Sequence, residues 1–209
     1  MGYLHVGNEG VDLLRWVMKK VTLIAGSICD FSGDVIVNAC NPVMLGGGGV
    51  DGAIHRAAGG DLKLACGLCP IDQEGIRCPV GQVRPTPAFG LKCKWVFHTA
   101  GPIFKIQRNV GPGEAQMGDN NAETLLRGCF RKAGVMAAAM DLKSIAFPAI
   151  STGVYGCPQE TCAEIAAKWV SKSRLNLDVT FYIFPAEHLG TWIRAMKTAG
   201  VDYDAFDQQ

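Results

Sequence analysis

Short β-branched runs alternate along this chain with stretches of helical period. VTLI (21 to 24) and DVIVN (34 to 38) are bounded by Gly and Ser, as buried strands are. Four glycines then lead into Val50, Ile54 and Ala57 at helical spacing, and Gly59 closes that helix. VRPTPAF and KWVFHTA predict two more strands, and Pro85 and Pro87 place the first at a sheet edge. Leu126, Cys129, Phe130, Ala133, Met136, Ala137 and Met140 mark one face of a helix from Asn121, roughly 18 residues long. SIAFPAI is a further buried strand. It is followed by STGVYGCP, with Pro158 at a first helical position, and then by a helix carrying Cys162, Ile165, Ala166, Trp169 and Val170 on one face. VTFYIF (179 to 184) and a helix through Leu189, Trp192, Ile193 and Met196 complete the series.

Strands alternating with helices predict an α/β fold whose central, largely parallel sheet is covered on both sides. Residues 8 to 20, with Asn8 as N-cap, read as an appended helix, so 1-20 is an N-terminal extension and 21-209 one domain. Residues 67 to 80 read as irregular, and 105 to 121 as a mobile surface loop.

Composition narrows the function classes. With 48% hydrophobic residues and 19% charged, the 209-residue chain can bury a core and is not a disordered polyelectrolyte. Twenty Lys and Arg against 19 Asp and Glu leave +1, which gives no global field for nucleic acid or an anionic membrane. Apolar stretches fall far short of the roughly 18 residues that span a bilayer, and the opening lacks a secretory pattern, so the expected location is cytoplasmic. Nine dispersed cysteines read as reduced thiols. Cys66, Cys69 and Cys78 lack the second pair or nearby His that a zinc finger needs, so no metal is assigned.

The candidate chemistry lies in the two glycine loops. Both follow a strand and precede a helix, at the strand ends where open α/β sheets bind ligands. Gly46 to Gly49, and Gly153 with Gly156, let backbone N–H groups approach a ligand, and the following helix N-termini favour anions. Two such loops suit a diphosphate held without lysine. A P-loop is absent, and the G-x-G-x-x-G of Gly47, Gly49 and Gly52 stands too far from its strand for a dinucleotide fold. Asn41 and Asp51, ten positions apart, could turn an amide and a carboxylate into one cavity and orient a water there. Each also has a plain role, Asn41 in a turn before Pro42 and Asp51 at a helix start. His55, one helical turn after Asp51, could orient its carboxylate or simply lie on the helix surface. His98, at a strand end, reads as structural.

NPVMLGGGGVD (41 to 51) fits N-x(6)-G-G-V-D, and GVYG (153 to 156) supplies a second loop. With VIVNACN, GAIHRAAG, VFHTAGP and AFPAISTG, the chain over about 21 to 200 resembles the MacroD-type macro domains. The resemblance implies a three-layer α/β/α fold with a mixed sheet and a cleft for ADP-ribose. It further implies hydrolysis of mono-ADP-ribose from Asp and Glu side chains, or deacetylation of O-acetyl-ADP-ribose, with no cofactor and no metal. Carried over, Asn41 and Asp51 would orient the distal ribose or activate the water, a substrate phosphate being an alternative base. Gly47 to Val50 and Ser151, Thr152, Gly153, Val154 and Tyr155 would cradle the diphosphate, with the Tyr155 ring on the distal ribose. Asn38 would support the cleft, and Ser27 and Ile28 would meet the adenine. Where the family pattern has an aspartate, this chain has Ser27, a weaker acceptor; Asp30 substitutes only if its loop bends inward. The partners implied are ADP-ribose or its O-acetyl ester and mono-ADP-ribosylated proteins, with a monomer expected and no membrane or nucleic acid. The alternatives are a non-catalytic ADP-ribose reader and a dinucleotide redox enzyme, the latter disfavoured by the displaced glycines.

Overall fold

The computed structural model describes residues 20–104 and 119–207. Its strands are β1 (Val21–Ala25), β2 (Val35–Cys40), β3 (Val83–Pro87), β4 (Trp95–Ala100), β5 (Ser144–Pro148), β6 (Asp178–Ile183) and β7 (Asp204–Asp207). The helices are α1 (Gly49–Ala58), α2 (Gly60–Gly67), α3 (Asp119–Ala139), α4 (Gln159–Lys172) and α5 (Leu189–Thr198). The strands form one sheet in the order β3-β4-β2-β5-β6-β1-β7. Among the described residues only the β3 and β4 pair is antiparallel, and the proline-bearing β3 does lie at an edge.

Alternate residues of the strands face opposite layers, because side chains of a strand point to its two faces in turn. Val35 and Val37 pack with Phe130, Phe147, Phe181 and Trp192 under α3, α4 and α5. Ile36 packs with Ile54, Leu62 and Val96 under α1 and α2. The result is the expected three-layer α/β/α arrangement with a mixed, mostly parallel sheet. Among the described residues no helix is long and apolar enough to cross a membrane.

Several boundaries differ from the sequence reading. Strand β2 runs on to Cys40, since pairing with β4 carries it through Asn38↔His98 to Cys40↔Ala100. Helix α2 was not predicted: it is a short, largely exposed turn between Gly59 and Leu68, with Leu62 and Cys66 buried and too few apolar positions to show a period. Strand β7 is wholly exposed and exists through backbone pairing with β1, which leaves no apolar alternation to read. Pro158 caps α4 one position before its first helical residue. The expected helix at 8 to 20 lies outside the described residues except for Lys20, which is not helical. The same holds for the loop at 105 to 121 as far as 118, while Asp119 to Asn121 belong to α3.

Asp34 ties the N-terminal ends of three strands together. Its carboxylate accepts from Lys143 N at 2.7 Å, Ser144 N at 3.1 Å and Lys94 Nζ at 2.7 Å. The Lys94 ammonium and these backbone donors hold its carboxyl below the usual range, against an opposing effect of burial. This stabilisation is therefore complete at neutral pH and is lost only as acid protonates the carboxyl. Asp34→Ala strands the Lys143 and Ser144 amides and should cost about 2 kcal/mol in urea unfolding at pH 7.

Candidate functional site

The parallel register aligns Ala25, Pro148 and Ile183 at one rim of the sheet. The loops after β1, β2, β5 and β6 therefore emerge side by side, at the carboxyl ends where crevices form in open sheets. Two hollows occupy this rim. The smaller, about 360 Å³, is lined by Asn41, Gly47 to Asp51, Gly101, Ser151 and Gly153 to Tyr155. The larger, about 600 Å³, is lined by Ser27, Ile28, Arg56, Thr152, Gln159 and Phe184, among others. Gly49, Val50, Ala149 and Gly153 belong to both, so the two hollows form one elongated groove.

The glycines at the junction keep the groove open. A Cβ at Gly48 or Gly153 would meet nothing, so a side chain at either position would enter free space. Gly49 needs its positive φ of 57° to start α1, and Gly46 needs φ 91° to turn the loop above the His55 ring. Gly52 is required for a different reason, because a Cβ there would lie 2.6 Å from the Gly47 carbonyl. Gly52→Ala should destabilise the fold by about 1–3 kcal/mol through overpacking, outweighing a gain of up to ~1 kcal/mol in helix propensity. A lower midpoint in thermal unfolding checks this.

The second loop is wound more tightly. Gly156 N donates to Gly153 O and Cys157 N to Ser151 O, each at 2.9 Å. Ser151 adopts a positive φ of 65°, rare for a residue with a Cβ. Its buried Oγ has no hydrogen-bond partner and sits against Gly101, where any Cβ would come within 2.1 Å of it. A strained serine with an unspent hydroxyl on a groove floor is a feature of functional loops.

Asn41 and Asp51 meet over Gly47, as the sequence reading anticipated. Asn41 Oδ1 accepts from Val43 N and Met44 N at 3.1 and 3.0 Å, which makes the turn and fixes the amide. Its Nδ2 donor is consequently turned toward Gly47, 3.7 Å from the position of a Cβ there. Asp51 Oδ2 lies 3.0 Å from the same position and is buried without a partner. Asp51 Oδ1 accepts from Asn38 Nδ2 at 2.7 Å, and His55 Nε2 lies 3.4 Å away. Burial pushes the Asp51 carboxyl up, while the Asn38 donor and His55 pull it down. One end of the groove thus brings an amide donor and an unpartnered carboxylate oxygen to the same glycine.

The remaining expected residues divide by depth. Asn38 is fully buried under the groove and reaches it only through Asp51. His55, Gly46 and Gly156 line neither hollow. Ser27 lines the larger hollow, and its Oγ accepts from Cys29 N at 3.3 Å. Asp30 does not bend inward; it is exposed and faces Lys92 at 3.9 Å. Sequence reasoning missed Arg56, Gln159, Tyr182, Phe184 and His188 in the larger hollow. Phe184, 78% exposed just past β6, was read as strand, although its place beyond an aligned strand end was the available signal. Among the described residues no three His, Cys, Asp or Glu side chains converge as a metal site requires.

Fold and site together define a three-layer α/β/α protein with an elongated, glycine-floored groove and an amide–carboxylate pair at one end. A family model described as the macro domain matches residues 37–166. A macro domain-containing protein of Vibrio parahaemolyticus is 41% identical over 180 residues, covering 86% of this chain and 98% of its own. An O-acetyl-ADP-ribose deacetylase of Salmonella newport is 40% identical over 188 residues, covering 88% of this chain and 98% of its own. The solved structure of a variant Oceanobacillus iheyensis macrodomain with ADP-ribose has a TM-score of 0.77 at 33% identity, covering 88% of this chain and 95% of its own. The chain belongs to the macro domain family.

Proposed function

We propose that this protein binds ADP-ribose along the groove and hydrolyses esters at its distal ribose. The substrates would be mono-ADP-ribosylated Asp or Glu side chains and O-acetyl-ADP-ribose. The observation that carries the reading is the approach of the Asn41 Nδ2 donor and the unpartnered Asp51 Oδ2 to Gly47, at one end of a groove made of joined hollows of about 360 and 600 Å³. The names of relatives support it: the Salmonella proteins are O-acetyl-ADP-ribose deacetylases, and the Oceanobacillus and Trypanosoma brucei macrodomain structures hold ADP-ribose.

The adenosine half would occupy the larger hollow, with the base near Ser27, Ile28 and Phe184. The diphosphate would cross the shared glycines, met by backbone groups of Gly48 to Val50 and of the loop that starts at Ser151. The distal ribose would lie under Tyr155, its anomeric carbon facing Asn41 and Asp51. There Asp51 Oδ2 accepts a proton from water as the water oxygen bonds to the anomeric carbon, and the bond to the carboxylate leaving group breaks. Asn41 holds the water or a ribose hydroxyl by its N–H. A carboxylate is a good leaving group, so positioning and charge stabilisation suffice.

Incubation with a glutamate-linked mono-ADP-ribosylated peptide and with O-acetyl-ADP-ribose tests the reading. Release of ADP-ribose or acetate is expected, and tight binding without release would establish a reader instead. Ser27→Asp should tighten ADP-ribose by about 1 kcal/mol in calorimetry, since a carboxylate accepts the adenine amino group more strongly than a hydroxyl. Unchanged affinity would remove adenine from that end.

A further inference from the structure

Behind Asp51 runs a chain of buried polar groups drawn from four elements. Asn38 on β2, His98 on β4 and Thr86 on β3 are buried, and Cys66 on α2 closes the far side. Asn38 Nδ2 carries two protons. One goes to Asp51 Oδ1 at 2.7 Å, and the other points to His98 Nδ1 at 3.1 Å. His98 Nδ1 therefore accepts, and the neutral ring carries its proton on Nε2, which faces Thr86 Oγ1 at 2.9 Å. Cys66 Sγ stands 3.6 Å from the same nitrogen.

We propose that His98 is a positioning residue for Asp51: by accepting one Asn38 amide proton it commits the other to Asp51 Oδ1, leaving Asp51 Oδ2, on the Gly47 side, as the carboxylate oxygen without a hydrogen-bond partner. This rests on the functional reading of Asp51 given above.

The logic is one of proton counting. Asn38 Oδ1 is buried and unpartnered, so the amide has no acceptor-side bond to keep it from turning over. Its orientation is set by two acceptors, Asp51 Oδ1 and His98 Nδ1, that both demand the NH₂ end. Without the ring nitrogen, one N–H is stranded in the core and the flipped amide becomes competitive. The flip brings Asn38 Oδ1 against the carboxylate and removes its 2.7 Å hydrogen bond. The other titratable groups around the ring are His55 on α1, with ring centroids 6.4 Å apart, and the thiols of Cys66 and Cys78. Burial pushes the Cys66 thiol up to about 12, so it stays neutral and adds no charge beside the ring.

The test is the titration of the Asp51 carboxyl, followed by carbon NMR in the full-length protein, with His98→Leu, His98→Gln and Thr86→Val. His98→Leu removes the acceptor and should raise the Asp51 midpoint. His98→Gln can accept from Asn38 through Oε1 and donate to Thr86 through Nε2, so it should restore the wild-type titration. Thr86→Val frees the ring to take the other tautomer, whose Nδ1–H opposes the Asn38 amide, and should move the midpoint in the same direction as Leu. In turnover, His98→Leu should lower kcat roughly ten- to hundredfold with little change in KM, because the loss is one of alignment. An Asp51 midpoint unchanged in both His98→Leu and Thr86→Val overturns the proposal, as does an equal shift in the Leu and Gln variants. The titration needs no turnover, so a protein that binds ADP-ribose without hydrolysing it would fail the functional reading while this result is decided separately.

Discussion

Asp51→Ala should lower hydrolysis of a glutamate-linked ADP-ribose ester by roughly 10²- to 10⁴-fold, the range for loss of a positioned general base. Affinity for free ADP-ribose should change by less than about tenfold, because in the proposed pose the diphosphate meets backbone and not the carboxylate. The contrast arises from how the groove divides its work. Gly48 to Val50, Ser151 and Gly153 line the middle with little side chain between ligand and backbone, whereas Asp51 and Asn41 stand only at one end. Asn41→Asp sharpens the test. It keeps the oxygen that accepts from Val43 and Met44, so the turn survives, but it replaces the free donor by a second anion beside Asp51. Its rate should fall about as far as that of Asn41→Ala. Steady-state release of ADP-ribose, read beside calorimetric binding, gives both quantities. If a phosphate of the substrate is the base, Asp51→Ala will keep much of its rate while the Asn41 variants lose theirs.

Acid should destabilise the fold through His98 by about 2 kcal/mol between pH 7 and pH 5. Burial lowers the ring from its ordinary 6.5 to about 3, with His55 contributing in the same direction. In the unfolded chain the ring takes up its proton near 6.5, while in the folded protein it stays neutral down to about 3. The unfolded state thus binds more protons throughout that interval, and folding free energy falls by about 1.4 kcal/mol per pH unit once pH drops below 6.5. Above 6.5 the contribution is constant. Asp51 works against this slope, because its raised carboxyl pKa lets the folded state take up a proton earlier than the unfolded chain does. Urea unfolding at pH 7, 6 and 5 in an Asp51→Asn background separates the two. There the slope should remain, and adding His98→Gln should abolish it; a slope that survives His98→Gln would place the acid sensitivity elsewhere.

Legibility in the sequence followed the range of the interaction. The glycine loops, the ten-residue spacing of Asn41 and Asp51 and the helix after them are local, and local backbone chemistry is written in consecutive residues. The two family motifs coincide with the two loops, so Asn41 and Asp51 in the first and Gly153 and Tyr155 in the second could be assigned to one groove through the resemblance. The reading of His98 as purely structural went no further because its partners, Asn38, Thr86 and Cys66, are 60, 12 and 32 positions away. Nothing in its own neighbourhood distinguishes an ordinary core histidine from one that orders an amide.

The periodicity of the chain determined by itself six of the seven described strands, every described α-helix but α2, and that the sheet is covered on both faces. It also determined that two loops without bulky side chains follow strands β2 and β5. Tertiary structure alone decided that two hollows join through Gly49, Val50, Ala149 and Gly153, that Phe184 and Arg56 enter the larger one, and that Asp30 turns away toward Lys92. It also decided the pairing of β7, whose residues bury nothing. The reason is physical: burial pattern and turn chemistry depend on neighbours along the chain, while cavities, amide orientation and edge pairing depend on atoms brought together from distant elements.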